Sequence, residues 1–292
     1  MSMPLTTSSS SSTQGLFTEW TLDASPIRMA VLAAIGVSAQ KTMGIMPPLV
    51  ELVVDYLKVN KGQVFGEREW IVLCGAVAPA PPLPLDIENI WQNPCPFSPG
   101  KKIRETHMLV YIPTTVGYSL NSQRLTLNSL GVLARQYFPR TEAGYKYIWS
   151  AIAAELGDKP LAKSSWVLMT KDVLPGSRSL SYADQRARLF GLAGRMSATY
   201  AVPGALEAAV CILAQYISSQ TRLFSDSPLT YTRCHEDVQG FQVVVGGFAP
   251  EGLRVRDSYD DRLAIGVAAV RKFSIMGDSA IRYPISFHSV SI

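Results

Sequence analysis

Seven prolines crowd residues 79 to 99, in Ala-Pro-Ala-Pro-Pro-Leu-Pro and Asn-Pro-Cys-Pro-Phe-Ser-Pro. Proline fixes φ and has no amide donor, so this density predicts an extended connector rather than helix or sheet interior. Ile87, Ile90 and Trp91 are too apolar for a free linker, so the connector is expected to pack against a neighbour. The periodicity differs on its two sides. Before it the apolar spacing is helical; after it helices give way to strands.

Residues 1–14, with the serine run Ser8–Ser12, read as a tail. Residues 15–78 predict a small helical unit. Ser25-Pro26 opens one helix, which reaches Met43 and stops at Gly44. A second follows Pro47-Pro48, where Leu49, Leu52, Val53, Tyr56 and Leu57 form one apolar stripe at i, i+3, i+4, i+7 and i+8. A third, Glu67 to Cys74, carries Trp70, Ile71 and Leu73.

Residues 100–292 predict a larger mixed domain. His107 to Ile112 and Trp166 to Met169 read as strands. Tyr145, Ile148, Trp149, Ile152 and Leu156 are spaced as a helix ended by Gly157. Ser181 and Asp184 suggest the capped start of a helix to about Met196. Leu206 to Ile217 is apolar nearly all round and is expected to be buried. Phe241 to Val245, Leu253 to Val255 and Ile265 to Phe273 predict a closing antiparallel sheet. The alternating Ile281, Tyr283, Ile285 and Phe287, with Pro284 on the other face, suggest an edge strand. Helices followed by strands predict an α+β fold.

Apolar residues at 47% against 17% charged supply a sizeable core. The net charge of +4, from 27 basic and 23 acidic residues, lacks the clustering that nucleic acid or an anionic membrane needs. The longest apolar run, Met29 to Val37, is far short of the ~20 residues that span a bilayer. Cys74, Cys95, Cys211 and Cys234 are too few for a disulfide framework, which together with the missing signal-peptide pattern predicts a cytoplasmic protein.

The chemical motifs are incomplete. No serine has glycines on both sides in the nucleophile-elbow pattern. The cysteines lack the close pairs of a zinc site, so no metal is expected. Gly100-Lys101-Lys102 departs from the P-loop, and Gly246-Gly247 with Gly252 departs from the dinucleotide fingerprint, so no cofactor is expected. In Cys234-His235-Glu236-Asp237, neighbouring strand residues face opposite ways. That arrangement favours a strand end with Cys234 buried and the acids in a turn before Gly240, unless Cys234 meets a distant His107. Pro175-Gly176 signals a turn. Arg178 beside it reads as an internal ion-pair partner or as a guanidinium for an anionic ligand.

The segment Met46-Pro-Pro-Leu-Val-Glu-Leu-Val-Val-Asp-Tyr-Leu57 resembles the opening of an F-box, whose helix docks on an adaptor of ubiquitin ligases. Met46 stands for the usual leucine, and Leu49 for the usual acidic residue. Over residues 63–273, blocks including Phe-Gly-Glu-Arg-Glu-Trp (65–70), Leu-Thr-Leu-Asn-Ser-Leu-Gly (125–131), Trp-Val-Leu-Met-Thr-Lys-Asp-Val-Leu-Pro-Gly-Ser-Arg (166–178) and Gly-Val-Ala-Ala-Val-Arg-Lys-Phe (266–273) are similar to a paralogous family from chlamydia-related symbionts of amoebae. Some of its members carry F-box-like starts, and no activity is carried over from it. The closing strands are similar to C-type-lectin-like bacterial domains, an analogy of fold alone.

These resemblances imply a non-enzymatic interaction protein that docks a protein partner through Leu49, Leu52, Val53, Tyr56 and Leu57, with delivery to a host cell as one setting. The competing expectation is an enzyme with a site near Trp166, Arg178 and Cys234.

Overall fold

The segment Ala205–Ser219 has no polar face, and a helix of that kind has to be covered on all sides. The computed structural model describes residues 63–83, 86–117, 122–141, 143–194, 199–258 and 263–273. The expected tail, the helices at 26–43 and 49–57 with their stripe, and the alternating 281–287 segment lie outside the described residues.

Along the chain come β1 (Val64–Phe65), α1 (Glu67–Cys74), β2 (Ala76–Val77), α2 (Ile87–Gln92), α3 (Ile103–Thr106), β3 (His107–Ile112), β4 (Thr115–Gly117) and β5 (Gln123–Arg124). Next are α4 (Leu127–Ala134), β6 (Tyr147–Ile148), α5 (Ser150–Glu155), β7 (Ser165–Thr170), α6 (Tyr182–Ala193) and α7 (Ala205–Ser219). The strands β8 (Tyr231–Val238), β9 (Phe241–Ala249), β10 (Gly252–Asp257), β11 (Ile265–Gly266) and β12 (Val270–Phe273) complete the order. The fold is α+β.

Three sheets result: β1-β3-β7-β12, β11-β8-β9-β10-β6 and β2-β4-β5. In the first, β3, β7 and β12 run antiparallel and β1 joins parallel. In the second, β8, β9 and β10 form an antiparallel meander, with β11 and β6 added parallel at its edges. Helix α7 packs against β1 and β3 of one sheet and β8, β9 and β10 of the other. Every residue from Ala205 to Gln215 is buried, as the apolar pattern requires.

Helix α1 forms where its apolar spacing placed it, and it belongs to this same core. Phe65, Trp70, Leu73 and Cys74 are buried, and the Trp70 indole donates to the Tyr111 carbonyl at 2.7 Å. The proline-rich segment contains a helix, contrary to the extended reading. Prolines 84 and 94 bracket the stretch that forms α2 without entering it. Its Ile90 is buried. The flanking carbonyls bind the first sheet, with Pro81 accepting from the Trp166 indole at 2.8 Å and Pro79 from the Tyr111 hydroxyl at 3.0 Å.

Two other expectations change. Tyr147–Ile148 is strand, and the helix begins only at Ser150. The open edge of β10 captures this segment, since Lys146 N–H donates to the Leu253 carbonyl and Trp149 N–H to the Val255 carbonyl, both at 2.9 Å. The strand expected over 265–273 divides into β11 in one sheet and β12 in the other. Where the chain crosses between them, hydroxyls accept its amides: Ser177 from Val267 at 3.2 Å, Thr232 from Ala268 at 2.8 Å and Thr170 from Ala269 at 3.1 Å.

Gly144 lies against the backbone of Gly131 in α4. A Cβ at Gly144, where φ is +74°, would sit 1.7 Å from the Gly131 carbonyl oxygen. Gly144→Ala should therefore lower stability by about 3 kcal/mol or more, combining left-handed strain with overpacking. Gly100→Ala, at φ +81° but with nothing within 4 Å, should lose only about 1 kcal/mol. Urea midpoints of the two variants check the contrast.

Candidate functional site

A buried helix N-terminus presents amide donors that the helix itself cannot satisfy. At the start of α7, Gly204 N–H donates to the Glu207 carboxylate at 2.9 Å, the reach-back of a capping box. Ala205 N–H faces both oxygens of Glu236, at 2.9 and 3.0 Å. The register of β8 against β9 slips between Arg233 and Asp237, where Glu236 leaves the regular ladder. Lys272 of β12 closes the group, its ammonium 2.7 Å from Glu207, which is almost wholly buried. Burying a carboxylate costs several kcal/mol, and the cation and amide offset it here.

Around this cap stand half-exposed side chains. His235 lies 3.8 Å from Glu236, with its side chain 52% exposed. Burial raises the Glu236 carboxyl above its ordinary range, and the neighbouring His235 and the Ala205 amide oppose that rise. Tyr182, the first residue of α6, feels the charges of Arg186, Glu236 and Arg233, and its phenol is raised mainly by burial. One helical turn on, the Arg186 guanidinium lies over the Tyr182 ring at 5.7 Å and over the Phe190 ring at 5.9 Å.

Cys234, two residues before Glu236, is completely buried. Burial pushes its thiol well above the ordinary range, and Glu236 and Glu207 push the same way. A thiol held protonated in this manner is a poor nucleophile. All four cysteines are free and buried. His107 has other neighbours: Thr106 Oγ1 at 2.8 Å from its Nδ1, and the rings of Phe97 and Tyr200. Burial drives the His107 pKa down from 6.5 to about 3. Asp237 accepts from Gly240 N–H at 2.9 Å, in the expected turn, whereas Glu236 reaches out to cap α7.

Arg178 reads as a clamp. It donates to the Leu263 carbonyl at 3.1 Å, the Ala264 carbonyl at 3.3 Å and the Thr230 hydroxyl at 2.9 Å. Those acceptors are two carbonyl oxygens and a hydroxyl, which tie the Thr230 and Leu263–Ala264 segments to the loop after β7. Trp166 is buried in the first sheet, its ring 5.5 Å from Tyr111. Among the described residues, Trp166, Arg178 and Cys234 share no hydrogen-bond partner.

An apolar cleft lined by Phe65, Trp70, Leu130, Leu213 and Ile217 has a volume of about 10 Å³, room for one water-sized sphere. Small-molecule sites usually measure about 300 Å³ or more. Among the described residues, no three His, Cys, Asp or Glu side chains gather as a metal site, and no helix is long and apolar enough to cross a membrane.

Sequence reasoning passed over Glu207, Lys272 and Arg186. Glu207 was findable, as a lone charge inside an apolar run and three residues after Gly204. The Tyr182, Arg186, Phe190 spacing was also open to inspection. Nothing local marks Lys272.

No family model, curated protein or solved structure matches the chain.

The buried Glu207 and His107 side chains give two predictions. Lys272→Met should lower stability by about 3 kcal/mol at neutral pH, because it leaves Glu207 buried and unpaired. Chemical denaturation measures that loss. For His107 the unfolded chain takes up a proton below pH 6.5 that the folded chain accepts only near pH 3. Its contribution is therefore complete above pH 6.5 and is lost progressively as pH falls toward 3. His107→Phe should make the stability profile shallower across that window, read from urea midpoints at successive pH values.

Proposed function

We propose that the chain is a non-enzymatic protein-interaction module. The observation that carries this reading is the placement of Cys234 and Arg178. The thiol is buried beneath the acidic cap of α7, and the guanidinium holds the Thr230 and Leu263–Ala264 segments together. Both of these reactive groups serve the scaffold. Arg186 and Phe190 of α6, by contrast, are exposed.

In its finer form, the module is an F-box-like adaptor, acting in the cytoplasm of its own cell or of a host. The resemblance of residues 46–57 to an F-box start supports this. Leu49, Leu52, Val53, Tyr56 and Leu57 would then meet the ubiquitin-ligase adaptor as one apolar stripe.

The test is co-elution of the full chain with that purified adaptor subunit in size-exclusion chromatography. A stable complex is expected, and Leu52→Asp with Tyr56→Asp should weaken it at least about tenfold, since charge would enter the core of the contact. Separate elution of the two unaltered proteins would remove the adaptor reading.

A further inference from the structure

Two polar atoms are buried on one side of the first sheet without a partner. Lys272, opposite Val167 and through it Val110, reaches α7, so His107, of the other parity in β3, faces away from that helix. The Thr106 hydroxyl donates toward the Lys102 and Ile103 carbonyls, both at 3.3 Å, and so accepts from His107 Nδ1–H at 2.8 Å. That leaves Nε2 of the neutral imidazole as a bare acceptor. Tyr200 lies beside β12, where its neighbour Ala201 pairs with Val270. Both residues are 2% exposed, and neither His107 Nε2 nor Tyr200 Oη has a hydrogen-bond partner among the described residues. Buried polar groups are nearly always paired, so two such atoms on neighbouring rings need a cause.

One further ring stands against both. Phe97 has its centroid 4.9 Å from that of Tyr200, edge-on, and 6.1 Å from that of His107, and the latter two are 5.7 Å apart. Phenylalanine fills the space but offers neither donor nor acceptor. The loop 93–102 carries it, and in that loop only Cys95 and Phe97 are buried. Cys95 N–H donates to the Lys101 carbonyl at 2.8 Å, Lys101 N–H to the Ser98 carbonyl at 3.1 Å, and Ile103 N–H to the Asn93 carbonyl at 3.0 Å. These main-chain bonds close the loop on itself, and among the described residues none ties it to the sheet. The loop is a strap that is hinged at its ends and holds one ring over two polar groups.

The chemistry of a molecule that could replace that ring follows from the two atoms. It has to be aromatic, about the size of the phenylalanine ring, and able both to donate to an imidazole nitrogen and to accept from a phenolic O–H. A single hydroxyl does both. Lys171 and Arg271 bring positive charge to His107 and Tyr200 respectively, which disfavours an amine that takes up a proton and suits an oxygen.

We infer that this ring cluster is a binding site for a small phenol, whose ring takes the place of Phe97 and whose hydroxyl donates to His107 Nε2 and accepts from the Tyr200 hydroxyl, with the loop 93–102 as its flap. The inference goes beyond the interaction reading, because it places a small-molecule site under the proline-rich segment and uses no residue of the apolar stripe.

The probes are phenol and toluene, which share a ring and differ in the hydroxyl, titrated into the full chain and followed by NMR chemical shifts. Phenol should bind, and toluene should bind at least about fivefold more weakly. Tyr200→Phe and His107→Phe should each reduce that preference by about fivefold, since each removes one hydrogen bond. Phe97→Ala vacates the ring's place and should bind phenol at least about tenfold more tightly than the unaltered chain. Phe97→Leu, a milder change that guards against misfolding of the alanine variant, should also bind it more tightly, by a smaller factor. Urea midpoints establish that each variant is folded. Absence of phenol binding to the unaltered chain, equal affinity for toluene, or an undiminished phenol preference in both Tyr200→Phe and His107→Phe overturns the inference. The adaptor test alters residues 52 and 56, so either idea can fail while the other stands.

Discussion

Helix α7 can exist in water only if it is surrounded, and the rest of the described fold provides that surrounding. Its residues from Ala205 to Gln215 are buried between two sheets. Each fully buried Leu, Ile or Val contributes about 2 kcal/mol. That gain requires the helix N-terminus to go inside as well, and buried amides without acceptors would cancel part of it. Glu207 and Glu236 supply the acceptors, and the Lys272 ammonium lies 2.7 Å from the buried Glu207 carboxylate. The cap and the core are thus one construction.

The polar residues between the sheets follow the same logic. A chain that leaves one sheet and enters another loses its ladder partners over the crossing. Residues 267–269 recover them from Ser177, Thr232 and Thr170. Gln185 serves nearby, donating to the Ser177 carbonyl at 2.8 Å. The Pro175–Gly176 loop and Arg178 belong to this arrangement, as does the Arg188 side chain, which covers Gly176. Residues that could be taken for catalytic groups are here the means by which two sheets share one strand-like segment.

Helix α6 meets the same core along one side. Its inner row of Gln185, Leu189 and Ala193 is buried, Tyr182 packs against the core beside it, and Arg188 bonds the Pro175 carbonyl, while Arg186 and Phe190 are exposed. The same helix begins at Tyr182, next to the cap of α7, so its position depends on the core that the cap makes possible.

Much of the fold was legible in the residues alone. The apolar run 206–217 had to be buried, 107–112 and 166–169 read as strands, and Glu67 to Cys74 read as helix, because periodicity and composition are local properties. The candidate site was less legible. Tyr147–Ile148 has helical spacing and became strand because the β10 edge was open. Residues 265–273 read as one strand and were divided because two sheets compete for their amides. Glu236 caps a helix that begins 31 residues earlier, and Lys272 neutralises a carboxylate from another element. Local pattern determined which segments seek burial; which edges, amides and charges meet was decided only in three dimensions, because those energies belong to pairs distant in the chain.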